Sequence, residues 1–229
     1  LTDDDSPIVE ENLWAFGPAW SPDGSQLAYM TDRGHGETGV IDLGIWRMTL
    51  ATKQARQLSK PRPYSGGDAD PAWRPGHPNQ LVYTRYFYTD NASAALAELV
   101  LLDTSTGNWV ELTPPTESSF HPAWSPQGDR LAFVKRATDR DDLYVMPVAE
   151  TPSPDSFAPS SQLLTGVMAQ PVWSPTGDQI LFMAESGDTG FDLWIVSVTT
   201  GADVTLKGKP VQVTNHGNVD ATSRPSWIR

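Results

Sequence analysis

The 229 residues carry a formal net charge of −12 and a pI of about 4.6, and this acidity argues against nucleic acid, whose binders need a basic face to displace phosphate counterions. The absence of cysteine excludes disulfides, thiolate metal sites and cysteine nucleophiles together. No apolar run approaches the roughly 18 residues of a membrane-spanning helix, whereas 9 Trp, 18 Gly and 20 Pro suit a chain of many short strands and tight turns.

The chain opens at Leu1–Thr2, which reads as the end of a strand, with no charged-then-apolar leader; any signal peptide is expected to have been removed or to lie outside this sequence. A motif then appears at Pro18–Ala19–Trp20–Ser21–Pro22–Asp23–Gly24 and returns as Pro71–Ala72–Trp73–Arg74–Pro75, Pro122–Ala123–Trp124–Ser125–Pro126 and Pro171–Val172–Trp173–Ser174–Pro175. A partial copy, Pro225–Ser226–Trp227, closes the series, and the tryptophans are 53, 51, 49 and 54 residues apart. A period near fifty marks a repeat architecture.

Each period divides into four short segments. After the Pro–x–Trp segment comes an aliphatic–small–aromatic run, as in Leu27–Ala28–Tyr29 and Leu131–Ala132–Phe133. A third run follows a polar loop, as in Glu98–Leu99–Val100 and Asp192–Leu193–Trp194, and a fourth ends on a hydroxyl: Ser59, Thr113, Thr165, Thr214. Such runs, bounded by turn residues, are strands. In Ser21–Pro22–Asp23–Gly24, Pro sets φ and Gly takes the left-handed conformation, which reverses the chain. The second copy, Pro75–Gly76–His77–Pro78–Asn79, predicts a looser hairpin.

One four-stranded sheet cannot bury both faces alone, but sheets stacked around an axis can. The expected fold class is therefore all-β: a single β-propeller domain over residues 1–229, with antiparallel four-stranded blades near 17–60, 70–114, 121–166 and 170–215 and a partial blade at 224–229. The Trp-Ser-Pro-Asp-Gly turn, the Leu-Ala-Tyr/Phe strand, the Asp-Leu-Tyr/Trp strand and the Leu-Thr ending resemble the TolB-like, or WD40-like (PD40-type), β-propeller repeat over nearly the whole chain. That resemblance implies a propeller of about six to eight blades, of which this chain holds four complete ones and partial flanking ones. The competing expectation is closure on itself, with Ile8–Val9–Glu10 or Leu13–Trp14–Ala15–Phe16 pairing to Pro225–Ser226–Trp227.

In a propeller the first strand of each blade lines the central channel. The residue before each repeated Pro is then placed around one mouth: Gly17, Asp70, His121, Gln170 and Arg224. These vary while Pro and Trp persist, so Asp70, His121, Gln170 and Arg224, with Asp68, are the candidate binding residues. The repeated tryptophans are expected to pack between blades, and Trp46, Trp109 and Trp194 to be core or edge aromatics. No catalytic residue is assigned, because no Gly-x-Ser-x-Gly elbow or phosphate-binding loop occurs. No cofactor and no metal site is expected from the four dispersed histidines. Calcium has three candidate clusters, Asp3–Asp4–Asp5, Asp139/Asp141/Asp142 and Asp188 with Asp192, none matching the calcium-loop pattern; the simpler reading has Asp142 and Asp192 capping the third strand.

The resemblance implies a non-catalytic scaffold outside the cytoplasm, periplasmic or extracellular, that takes a protein or peptide partner as a possible subunit of a membrane-associated complex. The alternative is the substrate-gating propeller of a prolyl-oligopeptidase-like serine peptidase whose catalytic domain lies outside this chain.

Overall fold

The computed structural model describes residues 14–33, 43–61, 66–88, 95–154, 156–187, 190–201, 203–215 and 217–227. Strands β1 (Ala15–Trp20), β2 (Gln26–Thr31), β3 (Gly44–Thr49) and β4 (Gln54–Gln57) form blade 1. Blade 2 contains β5 (Asp68–Trp73), β6 (Gln80–Phe87), β7 (Leu96–Asp103) and β8 (Trp109–Glu111). Blade 3 contains β9 (Ser119–Trp124), β10 (Arg130–Arg136), β11 (Asp141–Pro147) and β12 (Ser161–Leu164). Blade 4 contains β13 (Met168–Trp173), β14 (Gln179–Glu185), β15 (Phe191–Ser197) and β16 (Val211–Gln212). Every blade is a four-stranded antiparallel sheet in chain order, the up-and-down arrangement of a β-propeller.

The second strands are apolar nearly throughout, and in blades 2 and 3 a blade lies on each of their faces. Alternation decides which residue serves which neighbour. Ala28 and Ile45 of blade 1 meet Trp73, Leu81, Tyr83 and Val100 of blade 2. Val82 and Leu99 of blade 2 meet Trp124, Leu131 and Phe133 of blade 3, and Ala132 and Leu143 of blade 3 meet Trp173, Ile180 and Phe182 of blade 4. In the aliphatic–small–aromatic run, the small residue thus faces forward and its neighbours face back.

The repeated tryptophan sits at each joint. Trp73 Nε1 donates to the Ala19 carbonyl at 3.1 Å, and Trp124 Nε1 donates to the Ala72 carbonyl at 3.2 Å. Trp73, Trp124 and Trp173 are 6%, 8% and 5% exposed, but Trp20 is 62% exposed. The expectation of inter-blade packing therefore fails at Trp20, which among the described residues has no preceding blade to enter.

The turns explain the recurring serine. The hydroxyls of Ser21, Ser125 and Ser174 accept the amides of Gln26, Arg130 and Gln179 at 2.9, 3.1 and 3.1 Å, closing the β1–β2, β9–β10 and β13–β14 hairpins. Blade 2 has Arg74 in that column, buried, and its guanidinium straps blade 2 to blade 3. It donates to the carbonyls of Gly128 (2.6 Å), Ala149 (3.1 Å) and Val148 (3.2 Å) and stacks over Trp124 at 5.0 Å. Gly128 is fixed by the same contact, since its φ is 72° and a Cβ there would lie 2.4 Å from the Pro75 carbonyl oxygen.

The hydroxyl endings also have a structural role: Ser59, Thr113 and Thr214 accept the amides of Ile45, Leu99 and Leu193 at 2.8, 2.9 and 2.9 Å. Asp142 and Asp192 stand at the start of the third strand, and Asp142 accepts from Arg140 Nε of the turn before it at 3.0 Å, but the backbone amides they hold lie on the fourth-strand side. Asp142 accepts from Gly166 N and Gln162, and Asp192 from Gly217 N, Gln212 and Thr214, which binds each to the fourth-strand side of its blade. Asp139, Asp141 and Asp142 are each paired with an arginine, while Asp3–Asp5 and Asp188 lie outside the described residues. Ala15 and Phe16 belong to β1, pairing with Thr31 and Met30, and residues 225–227 form no strand, so the expected self-closure does not occur between them. Ile8–Glu10 lies outside the described residues. No helix among the described residues is long and apolar enough to cross a membrane.

Trp124→Phe leaves the buried Ala72 carbonyl without its donor and is expected to lower stability by about 1–3 kcal/mol. Trp20→Phe, at the same motif position but exposed, should stay within about 0.5 kcal/mol. Urea denaturation of the two variants checks the contrast.

Candidate functional site

The first strands of successive blades, β1, β5, β9 and β13, lie beside one another and form the inner wall. Each carries a bulge at the same place. Gly17–Pro18 opposes the single residue Tyr29 across the β1–β2 pair, and Asp70–Pro71 opposes Tyr83. His121–Pro122 opposes Phe133, and Gln170–Pro171 opposes Phe182. Two residues against one is the signature of a bulge, which bends the strand and re-aims a side chain.

The backbone there is left-handed: φ is 55° at Gly17, 53° at Asp70, 54° at His121 and 47° at Gln170. A residue before proline ordinarily takes an extended conformation, and a non-glycine residue at positive φ is uncommon. Among the described residues, Lys53 and Ser118 are the other non-glycine cases. Strain of this kind costs on the order of 1–3 kcal/mol per residue and persists where the surroundings over-determine it. At Gly17 a side chain would also meet Met30 Cε, 3.0 Å from a Cβ.

The four polar side chains are brought together in blade order. His121 Nε2 lies 3.7 Å from Asp70 Oδ2. The Gln170 backbone N–H donates to His121 Nδ1 at 3.4 Å, so the imidazole proton sits on Nε2, toward Asp70. Arg224 Nε donates to Gln170 Oε1 at 3.4 Å, placing the start of the fifth copy on the same rim. Phe120 packs edge-on against His121 at 4.8 Å. Burial holds the His121 pKa below 6.5, with Asp70 opposing that shift and Arg224 adding to it. Burial likewise lowers Arg224, against the pull of Asp70, and Arg224 Nη2 is buried without an acceptor among the described residues.

Asp68 is placed differently. It pairs with Arg85 at 3.6 Å, directly across the β5–β6 register. The rim thus gathers a carboxylate, a neutral imidazole and a guanidinium that are partly accessible, braced from behind by the buried Gln170 carboxamide, a set suited to orienting a polar segment by hydrogen bonds and charge. Two features went unread in the sequence: the left-handed backbone of this column and the Arg74 strap. Gly17 in the same column as Asp70, His121 and Gln170 was the available signal for the first, and Arg in a serine column for the second.

No family model matches the chain. It is similar to a TolB homologue of Chlorobium chlorochromatii, 34% identical over 120 residues that make up 52% of this chain and 23% of that protein. It is also similar to the uncharacterized peptidase YuxL of Bacillus subtilis, 29% identical over 154 residues, covering 55% of this chain and 22% of that protein. The chain therefore spans less than a quarter of the curated relatives it matches. Among solved structures, TolB from Acinetobacter baumannii superposes with a TM-score of 0.61 at 17% identity, over 84% of this chain and 43% of that one, which is a likeness of fold.

His121 provides a pH prediction. Its folded pKa lies below the 6.5 of the free side chain, so protonation favours the unfolded state. Stability should fall as pH drops through 6.5, with the charges of Asp70, Asp141, Arg136 and Arg224 facing the ring. His121→Asn, which tolerates the left-handed backbone and does not titrate, should flatten that fall in urea unfolding measured across the range.

Proposed function

We propose that this TolB-like β-propeller is a non-catalytic scaffold that works outside the cytoplasm and takes a protein or peptide segment at its channel mouth. One observation carries the reading. Three blades hold a non-glycine residue left-handed before proline, and the side chains so aimed are all different: Asp70, His121 and Gln170. Packing alone would be served by glycine, as at Gly17, whereas strain retained at a variable polar position is what a recognition rim requires. The likeness to TolB homologues supports a protein partner, in a membrane-associated complex, and an extracytoplasmic setting.

The second reading is a gating propeller of a serine peptidase whose catalytic residues lie elsewhere, and the similarity to the Bacillus subtilis peptidase favours it. In that case the mouth filters substrates rather than holding a partner.

Asp70→Gly, His121→Gly and Arg224→Ala combined remove the rim groups, with glycine matching the left-handed backbone. Cross-linking in the host cells, read by mass spectrometry, should give a protein adduct that falls at least tenfold in the triple variant while the melting temperature holds. An equal adduct in both proteins would contradict the mouth as the site. Release of peptide fragments from a captured polypeptide by the full-length protein would favour the gating reading.

A further inference from the structure

Away from the mouth, a groove of about 820 Å3 opens between the fourth strand of blade 1 and blade 2. Blade 2 departs from its neighbours at this point. In blades 3 and 4 the acid near the start of the third strand, Asp142 or Asp192, is tied to its own fourth-strand side. The same column in blade 2 holds Glu98, one methylene longer, which pairs with Arg85 at 3.5 Å. Arg85 in turn lies over the Trp109 ring at 4.6 Å and over Tyr83 at 5.6 Å. The extra reach of glutamate has moved this acid from a strand tie into the groove wall.

Trp109 stands on the outer strand β8, lines the groove and is 52% exposed with the Arg85 guanidinium over one face of its ring, so the ring face not covered by Arg85 is left for a ligand. Tyr88, also exposed, lines the same groove. Gln57 and Glu111 complete the polar lining. Its cations Lys60 and Arg85 stand beside the acids Glu98 and Glu111, so no strong charge of either sign accumulates, which selects neither a polyanion nor a polycation. Planar guanidinium, carboxyl and carboxamide groups beside open aromatic plates match a ring that is apolar on its C–H faces and hydroxylated at its edge.

We propose that this groove binds a short neutral oligosaccharide, stacked on Trp109 and hydrogen-bonded by Arg85, Glu98 and Gln57. The volume lies within the range of small-molecule sites. Burial, with Glu111 beside it, raises the Glu98 pKa to about 7, so near neutrality this carboxyl both donates and accepts hydrogen bonds.

Isothermal titration of the protein with maltotriose, cellotriose and triacetylchitotriose, and with a decaproline peptide, tests the proposal. One trisaccharide should bind saturably, with affinity reduced at least tenfold by Trp109→Ala and severalfold by Glu98→Gln, and unchanged by Trp20→Ala. Glu98→Gln keeps the side-chain volume and carries the test should Trp109→Ala unfold the blade. Failure of all three sugars to bind, affinity indifferent to both groove variants, or preferential binding of decaproline would overturn the proposal.

Discussion

The joint between blades is the interaction on which the rest depends. An indole of one blade enters the face of the blade before it; Trp73 and Trp124 also donate their N–H to the Ala19 and Ala72 carbonyls, whereas Trp173 Nε1 is buried with no acceptor among the described residues. The apolar contact supplies the burial, and the hydrogen bond sets the position of one inner strand against the next. Because donor and acceptor both lie at the end of the first strand, the joint fixes the inner wall more tightly than the outer rim. The outer wedges are then free to differ: blades 2 and 3 are strapped by Arg74 and leave a groove of about 360 Å3, whereas blades 1 and 2 leave one of about 820 Å3.

The bulge connects this joint to the mouth. Two residues, x–Pro, stand against one aromatic of the second strand, and the aromatic is Tyr29, Tyr83, Phe133 or Phe182. Proline cannot donate to the ladder, so a bulge is where a strand accommodates it. At all four of these bulges the residue before Pro is left-handed. Pro, aromatic and positive φ are therefore three expressions of one device, and the side chain before Pro is released from the pleat toward the rim. Asp70, His121, Gln170 and Arg224 meet there although each comes from a different repeat.

Much of this was legible in the residues. A fifty-residue period with Trp at its head dictates stacked four-stranded blades, and the column before Pro was readable as a rim because it varied while its neighbours did not. What stayed hidden depended on tertiary context. Trp20 carries the same motif as Trp124, yet it is exposed, since burial depends on a neighbouring blade and not on the motif. Asp68 stands two residues from Asp70, but Asp70 begins the bulge that breaks the pleat, and Asp68, still in register, pairs with Arg85. Asp142 and Asp192 looked like turn caps because acids commonly are, and only the fold shows the fourth-strand groups they bind.

The central claim is that the left-handed pre-proline column forms the recognition surface. These 229 residues contain no cysteine, so single cysteines placed at the partly accessible positions 70, 121 and 224, and at the exposed Thr52 on a blade edge, can each be followed within them. The direct measurement is the maleimide labelling rate of each variant in host cells, with and without the cross-linked partner. The account predicts that labelling at the three rim positions slows together when the partner is held while Thr52 is unaffected. Rim labelling unchanged by the partner, with protection appearing at the blade edges instead, would contradict it.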